Sequence, residues 1–155
     1  MMLASLLSEN QILPELRSEE RWDAIEELIE QLVSAGCVKD EDRVEILDSI
    51  RQREQTMSTG IGLGIAIPHA SSELVSDVVA AFGRSTKGVE FDSVDGQPVS
   101  FVVLFVVPKD QFQTHLRTLA AIAKFLNDRT VREELSKADS AAAILQVFRK
   151  RGSSG

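Results

Sequence analysis

Ser58-Thr59-Gly60-Ile61-Gly62-Leu63-Gly64-Ile65-Ala66-Ile67-Pro68-His69-Ala70 is the stretch on which the reading of this chain turns. Three glycines at alternate positions run into the short apolar segment Ile65-Ala66-Ile67. Pro68 then delivers His69 to the end of a strand on a stiffened backbone. His69 is one of two histidines in 155 residues. An unperturbed imidazole titrates near 6.5, so at about pH 7 it is largely neutral and keeps a lone pair that can act as a nucleophile. The glycines by themselves say less, since a Gly-x-Gly-x-Gly series also serves simply to turn the backbone at positive φ.

Strands follow the glycine loop. Val78 to Phe82 is short and apolar, and Val99 to Val107 is a nearly unbroken apolar run stopped by Pro108. A strand apolar at successive positions is buried on both faces, which requires helices on both sides of the sheet. Between the two runs, Val94-Asp95-Gly96-Gln97-Pro98 carries turn residues. Upstream, Glu19 to Ala35 predicts a helix with Ser18 as N-cap, acidic residues at its positive end and Gly36 closing it. Trp22, Ile25, Leu28, Ile29, Leu32 and Val33 form its apolar face. A second helix starts near Asp40 or Glu41 and ends near Glu54, with Val44, Leu47 and Ile50 facing inward. Downstream, helices are expected over Gln111–Leu126 and Ser140–Phe148, with a helical turn over Val131–Leu135. This order predicts an α/β fold: a three-layer sandwich with a mixed central sheet flanked by helices on both faces.

His115 lies on the helix that starts at Gln111, on a predicted inward stripe with Phe112, Leu116, Leu119, Ile122, Ala123 and Leu126. An inward histidine is ordinarily a core residue with both ring nitrogens satisfied, because an unpaired buried polar group costs about 1–3 kcal/mol. Against that ordinary role stands its place near a strand end, as for His69, where sites in α/β sheets gather.

The length suits one domain, expected over residues 1–150 with 151–155 as a flexible tail. Apolar residues make up 43% and charged residues 26%, ordinary values for a globular protein. A net charge of −7 argues against nucleic acid as a partner and suits a basic protein partner. Cys37 is the lone cysteine, so no disulfide framework or CxxC metal site exists, and it is expected as a small buried apolar residue. The first residues lack a signal-peptide pattern, and the longest apolar run, Phe101 to Val107, is far too short to span a bilayer. A cytoplasmic location is expected, without membrane insertion. No HExxH pair, Walker ending, GxGxxG turn or Gly-x-Ser-x-Gly elbow is present.

Arg53-Glu54, then Ser58-Thr59-Gly60-Ile61-Gly62, then Ile65-Ala66-Ile67-Pro68-His69-Ala70, resembles the active-site signature of enzyme IIA of the fructose/mannitol type. That family belongs to the bacterial phosphoenolpyruvate-dependent phosphotransferase system (PTS). Phe91 through Pro98, the apolar run to Pro108 and His115-Leu116 are similar to the family's pattern too, so the likeness extends from the first helix to Phe148.

The resemblance implies a catalytic trio. His69 would accept a phosphoryl group on Nε2 from the phosphorylated carrier protein HPr and later surrender it. Arg53 would stabilise the charged phosphoimidazole, and His115 would sit beside His69 as the second active-site histidine. Phosphoryl transfer rests on positioning and on neutralising the equatorial oxygens, for which a guanidinium offers paired donors. Ser58, Thr59 and Gly60 are expected to bind phosphate through hydroxyl and backbone donors. No cofactor or metal is implied beyond the phosphodonor. Leu63 stands where many relatives carry a polar residue, and Ser71-Ser72 follow where a basic residue is common. Both bear on partner choice.

Within this family, a stand-alone nitrogen-type regulatory protein is the reading preferred. A soluble IIA subunit of a fructose/mannitol-type sugar system is the first alternative, and a binding module that keeps the fold without phosphotransfer is the second. Partners would be an HPr-like carrier and either a IIB domain or a regulated target protein.

Overall fold

The computed structural model describes residues 2–152. Six strands form one mixed sheet: β1 (Ile12–Leu13), β2 (Gly60–Gly62), β3 (Ile65–Ala66), β4 (His69–Ser72), β5 (Val79–Val89) and β6 (Val99–Pro108). β5 and β6 pair antiparallel at the centre, β1 lies parallel on the far side of β5, and β3 and β4 follow one another along the opposite edge of β6, both parallel to it. β2 pairs antiparallel with β3 through a two-residue loop, Leu63-Gly64, with both residues at positive φ.

The apolar run of β6 explains the layers. Val99, Val102, Leu104 and Val106 pack on one face with helices α2 (Arg21–Ser34) and α3 (Arg43–Thr56). Phe101, Val103, Phe105 and Val107 pack on the other with α4 (Phe112–Asn127), α5 (Arg129–Lys137) and α6 (Ala141–Gly152). A short helix, α1 (Met2–Leu6), lies on this second face beside α6. The three-layer α/β sandwich with a mixed sheet is thus the observed architecture. Alternation from Phe101 to Val107 assigns each residue to one core, and a register shift opposite Val99 and Phe101 puts Val99 on the α2–α3 side, so both faces are apolar and both are covered.

Several local expectations change. Glu20, not Ser18, caps α2, its carboxylate accepting from the N–H groups of Trp22 and Asp23. Ser18 donates its hydroxyl to Glu27 instead, 2.8 Å away. A 3₁₀ turn over Asp40–Asp42 leads into α3, and the resulting phase leaves Val44 66% exposed while Leu47 and Ile50 are buried. On α4, Leu116 is 42% exposed and Thr118 is buried, because the stripe follows His115, Thr118, Ile122 and Leu126. Cys37 is half-buried and packs against the edge of a core rather than inside it.

β5 runs to Val89, well past the apolar stretch, because Arg84 is anchored by carbonyls. Its guanidinium donates to Pro14 at 2.9 Å, to Leu135 at 2.7 Å and to Ala138, tying the sheet to the end of α5. The helical turn expected over Val131–Leu135 is a nine-residue helix capped by Asp128. α6 continues through Arg151, which pairs with Glu134 at 2.8 Å. Residues 153–155 lie outside the described residues. Among the described residues, no helix is long and apolar enough to cross a membrane.

Candidate active site

His69 opens β4 in register with Phe105 of β6. Ala70 belongs to the core under α3, so alternation turns His69 to the opposite, α4-facing side. β4 is an edge strand here, and the histidine therefore stands half-buried at an open margin of the sheet rather than under a helix. Its Nδ1 lies 2.8 Å from the carbonyl oxygen of Ile67. A carbonyl only accepts, so Nδ1 carries the proton and Nε2 holds the lone pair. Nε2 has no hydrogen-bond partner among the described residues.

The electrostatics favour the same neutral form. Burial pushes the His69 pKa below its ordinary 6.5; the Ile67 carbonyl opposes this, the Arg53 charge adds to it and the Glu54 charge opposes it. A pKa lowered from 6.5 favours the uncharged imidazole at neutral pH.

His69 lines an open depression of about 480 Å³ with Ser49, Gln52 and Arg53 of α3, Ser71 of β4, Lys109, and Phe112 at the start of α4. Arg53 sits in the last turn of α3, where a cation is favoured by the helix dipole, and donates from Nη1 to the Met57 carbonyl at 3.1 Å. Lys109 adds a second cation, held only loosely by Glu73 at 3.7 Å. The sequence reading passed over Lys109; its position directly after Pro108, at the end of a buried strand, was the available signal.

His115 is buried on α4, with Thr118 Oγ1 3.4 Å from Nδ1 and Gln111 Oε1 3.4 Å from Nε2. Its ring meets Phe105 edge-on at 6.1 Å. Phe105 is also the register partner of His69, so both histidines share one side of the sheet with this phenyl ring as common neighbour. No hydrogen bond joins the two imidazoles.

Ser58, Thr59 and Gly60 are arranged differently from the expectation that they bind phosphate. Thr59 is buried and gives both donors to Glu54, its N–H at 2.9 Å and its hydroxyl at 2.6 Å. Ser58 donates to the Phe91 carbonyl at 2.5 Å and accepts the Gly60 N–H at 3.1 Å. These donors are consumed within the loop, and none of the three residues lines the depression. Glu54, a buried carboxylate also approached by Arg21 at 3.5 Å, is the group that organises the loop. Nothing in its local sequence marks Glu54 for this task.

Fold and site together define a class: an α/β sandwich that offers one neutral imidazole nitrogen at an open sheet edge between two cations. The chain matches the family described as "Phosphoenolpyruvate-dependent sugar phosphotransferase system, EIIA 2" over residues 5–151. It is 39% identical over 125 residues to a fructose-specific EIIA component of Haloferax volcanii, covering 81% of this chain and 80% of that protein. It is 31% identical over 148 residues to a nitrogen regulatory protein of Bradyrhizobium diazoefficiens, covering 96% and 95%. A fructose-specific EIIABC component of Bacillus subtilis is 36% identical over 148 residues, but the chain spans only 23% of that protein's length. Among solved structures, the nitrogen regulatory protein IIA-Ntr of Neisseria meningitidis superposes with a TM-score of 0.85 at 26% identity, covering 96% of this chain and 99% of that one. The IIA mannitol domain of Escherichia coli, solved in complex with phosphorylated IIB mannitol, shares the fold with a TM-score of 0.77 at 22% identity. The chain belongs to the type-2 enzyme IIA family of the phosphotransferase system, whose domains are phosphotransfer proteins.

Proposed function

We propose that this protein is a histidine phosphocarrier that accepts a phosphoryl group on Nε2 of His69 from an HPr-like donor and acts as a nitrogen-type regulator. The observation that carries the acceptor assignment is the Nδ1–H to Ile67 carbonyl bond, which leaves Nε2 unprotonated and unpartnered at the open depression. The Nε2 lone pair forms the new N–P bond as the donor's N–P bond breaks, and the donor imidazole keeps the electron pair. Positive charge then develops on the His69 ring, where Nδ1 keeps its proton and donates it in a hydrogen bond to the Ile67 carbonyl. Arg53 and Lys109 meet the phosphoryl oxygens, Arg53 leaving the Met57 carbonyl to do so. His115, edge-on against Phe105, supports the sheet edge from which His69 stands.

Support for the regulatory role comes from likeness over whole chain lengths: 96% and 95% with the Bradyrhizobium nitrogen regulator, and the TM-score of 0.85 with IIA-Ntr. Phosphorylation adds roughly two negative charges at the sheet edge, which alters affinity for a partner docking there without refolding. The second reading, a IIA subunit that passes its phosphoryl group to a sugar-specific IIB domain, is favoured by the 39% identity to the Haloferax fructose component.

Incubation with phosphoenolpyruvate, enzyme I and HPr should yield one acid-labile, alkali-stable phosphate, absent from His69→Ala. Full labelling of that variant overturns the acceptor assignment. Pull-downs with wild type and His69→Glu should then separate the roles. A non-PTS target whose capture differs several-fold between baits supports regulation, whereas recovery of HPr and a IIB protein alone gives the transport reading.

A further inference from the structure

Leu63 is the least comfortable residue of the β2–β3 hairpin. It occupies the first position of the two-residue loop at φ +59, a conformation that suits Gly, Asn or Asp and strains a leucine. Its side chain is 54% exposed, and its N–H is pinned by Asp95 Oδ2 at 3.1 Å. A strained, rigidly held and exposed apolar residue has no stabilising purpose within the chain.

Beside it runs a groove of about 560 Å³ lined by Leu63, Phe101, Arg129, Arg132, Glu133, Ser136 and Lys137. Its floor is apolar and its α5 rim is cationic. Arg129 shares its charge with Glu133 at 3.0 Å, Arg132 is held by the uncharged carbonyls of Leu126 and Asn127, and Lys137 lies in the field of Glu134, a carboxylate outside the groove that pairs with Arg151. The lining itself carries three cations and one carboxylate. The setting sharpens the contrast: residues 1–108 carry eight Lys and Arg against nineteen Asp and Glu, while residues 109–151 carry nine against five. The groove lies on the same side of the sheet as His69, four residues back along β6, roughly 13 Å at the usual strand rise.

We propose that this groove docks an acidic segment of another protein, with carboxylates against Arg129, Arg132 and Lys137 and an apolar side chain over Leu63. Charge complementarity selects the occupant. A long polyanion such as nucleic acid meets the repulsion of the acidic remainder of the chain, whereas a short acidic segment confines its charge to the rim. A second copy of this chain would dock head to tail, through its acidic Asp40–Asp42 turn and exposed Val44, and such a contact builds a ring or a filament rather than a two-fold dimer. The site is separate from the phosphoryl acceptor, so its occupation does not depend on the chemistry of His69.

Fluorescence anisotropy with a labelled hexapeptide alternating glutamate with leucine and phenylalanine tests this. Saturable binding is expected that weakens several-fold from 0.05 to 0.5 M salt, and a glutamine version of the peptide should bind at least tenfold more weakly. Arg129→Glu combined with Lys137→Glu should lose roughly tenfold, and Leu63→Asn several-fold with no loss of thermal stability, since Asn tolerates this turn. His69→Ala should bind the peptide like wild type, which keeps this result independent of the phosphocarrier reading. Equal binding by the groove variants overturns the proposal. So does tighter binding of a single-stranded oligonucleotide at the same residues, or self-association by sedimentation that Val44→Asp abolishes.

Discussion

Thr59→Val separates two roles for the residue that follows Ser58. The substitution keeps the β-branched shape and the backbone N–H but removes the hydroxyl, which donates to Glu54 Oε1 at 2.6 Å. Both groups are buried, Glu54 at 1% and Thr59 at 5% exposure, so water does not replace the lost donor. A hydrogen bond to a charged group contributes about 1.5–3 kcal/mol, and here the carboxylate oxygen is left bare. The expected destabilisation is therefore about 2–3 kcal/mol, a lowering of Tm by about 5–10 °C for a chain of this size. Urea unfolding gives the first quantity and calorimetry the second. Phosphoryl acceptance, measured where both proteins are fully folded, should change less than about threefold, because the hydroxyl faces Glu54 and not the depression. A hydroxyl that binds the phosphoryl group in the transition state would behave in the opposite way, with roughly a hundredfold loss of rate and little loss of stability. Wild-type stability in Thr59→Val refutes the anchoring role.

Arg53→Ala should fold, remain phosphorylatable and lose roughly 10²–10³-fold in transfer rate, the scale of one electrostatic donor; His115→Ala, whose ring meets Phe105 and does not line the depression, should fold and lose less, and a rate within twofold of wild type assigns His115 a packing role. Nitrogen NMR of the imidazoles should show His69 as the Nδ1–H tautomer titrating below 6.5, and Nε2–H or a pKa at or above 6.5 contradicts the site geometry. The linked stability has a definite sign. The unfolded chain takes up this proton at higher pH than the folded one, so the contribution of neutral His69 is complete above 6.5 and declines as pH falls toward the folded pKa. Gly60→Ala should destabilise by about 1–3 kcal/mol in urea, because the new Cβ would stand 2.9 Å from the Ser93 backbone, and unchanged stability would show that the loop yields.

The layers were legible because β6 writes them into its sequence. Nine consecutive residues from Val99 are apolar save Ser100, and only a sheet covered twice buries such a run. His69 was expected at a strand's end and instead opens one, because Ile67-Pro68 interrupts the edge between β3 and β4. The short strands were harder. β1 is two residues long and pairs with β5 across some seventy residues of sequence, so nothing local marks it. Val44 and Leu116 were assigned inward because helical spacing has a tolerance of one position. At that tolerance, a 3₁₀ entry or a buried threonine resets the phase.

The arrangement of Ser58, Thr59 and Gly60 is more instructive, since small polar residues and glycine are the usual makings of an anion cradle. What decides their task is a carboxylate in the preceding helix. Glu54 points into the core, and its buried charge must be met by donors; the nearest are those of Thr59, five residues on. Once Thr59 is bound there, Ser58 turns to Phe91 and Gly60 to Ser58. Arg53, the residue before Glu54, then reaches the Met57 carbonyl at the lip of the depression. Donor types can be read from a sequence, but which acceptor outbids a future phosphate depends on burial, and burial is a property of the whole fold. The loop thus acts at one remove: it fixes the helix end that carries the guanidinium, and under the proposed function the phosphoryl group would meet His69 Nε2 with Arg53 and Lys109 in the same depression.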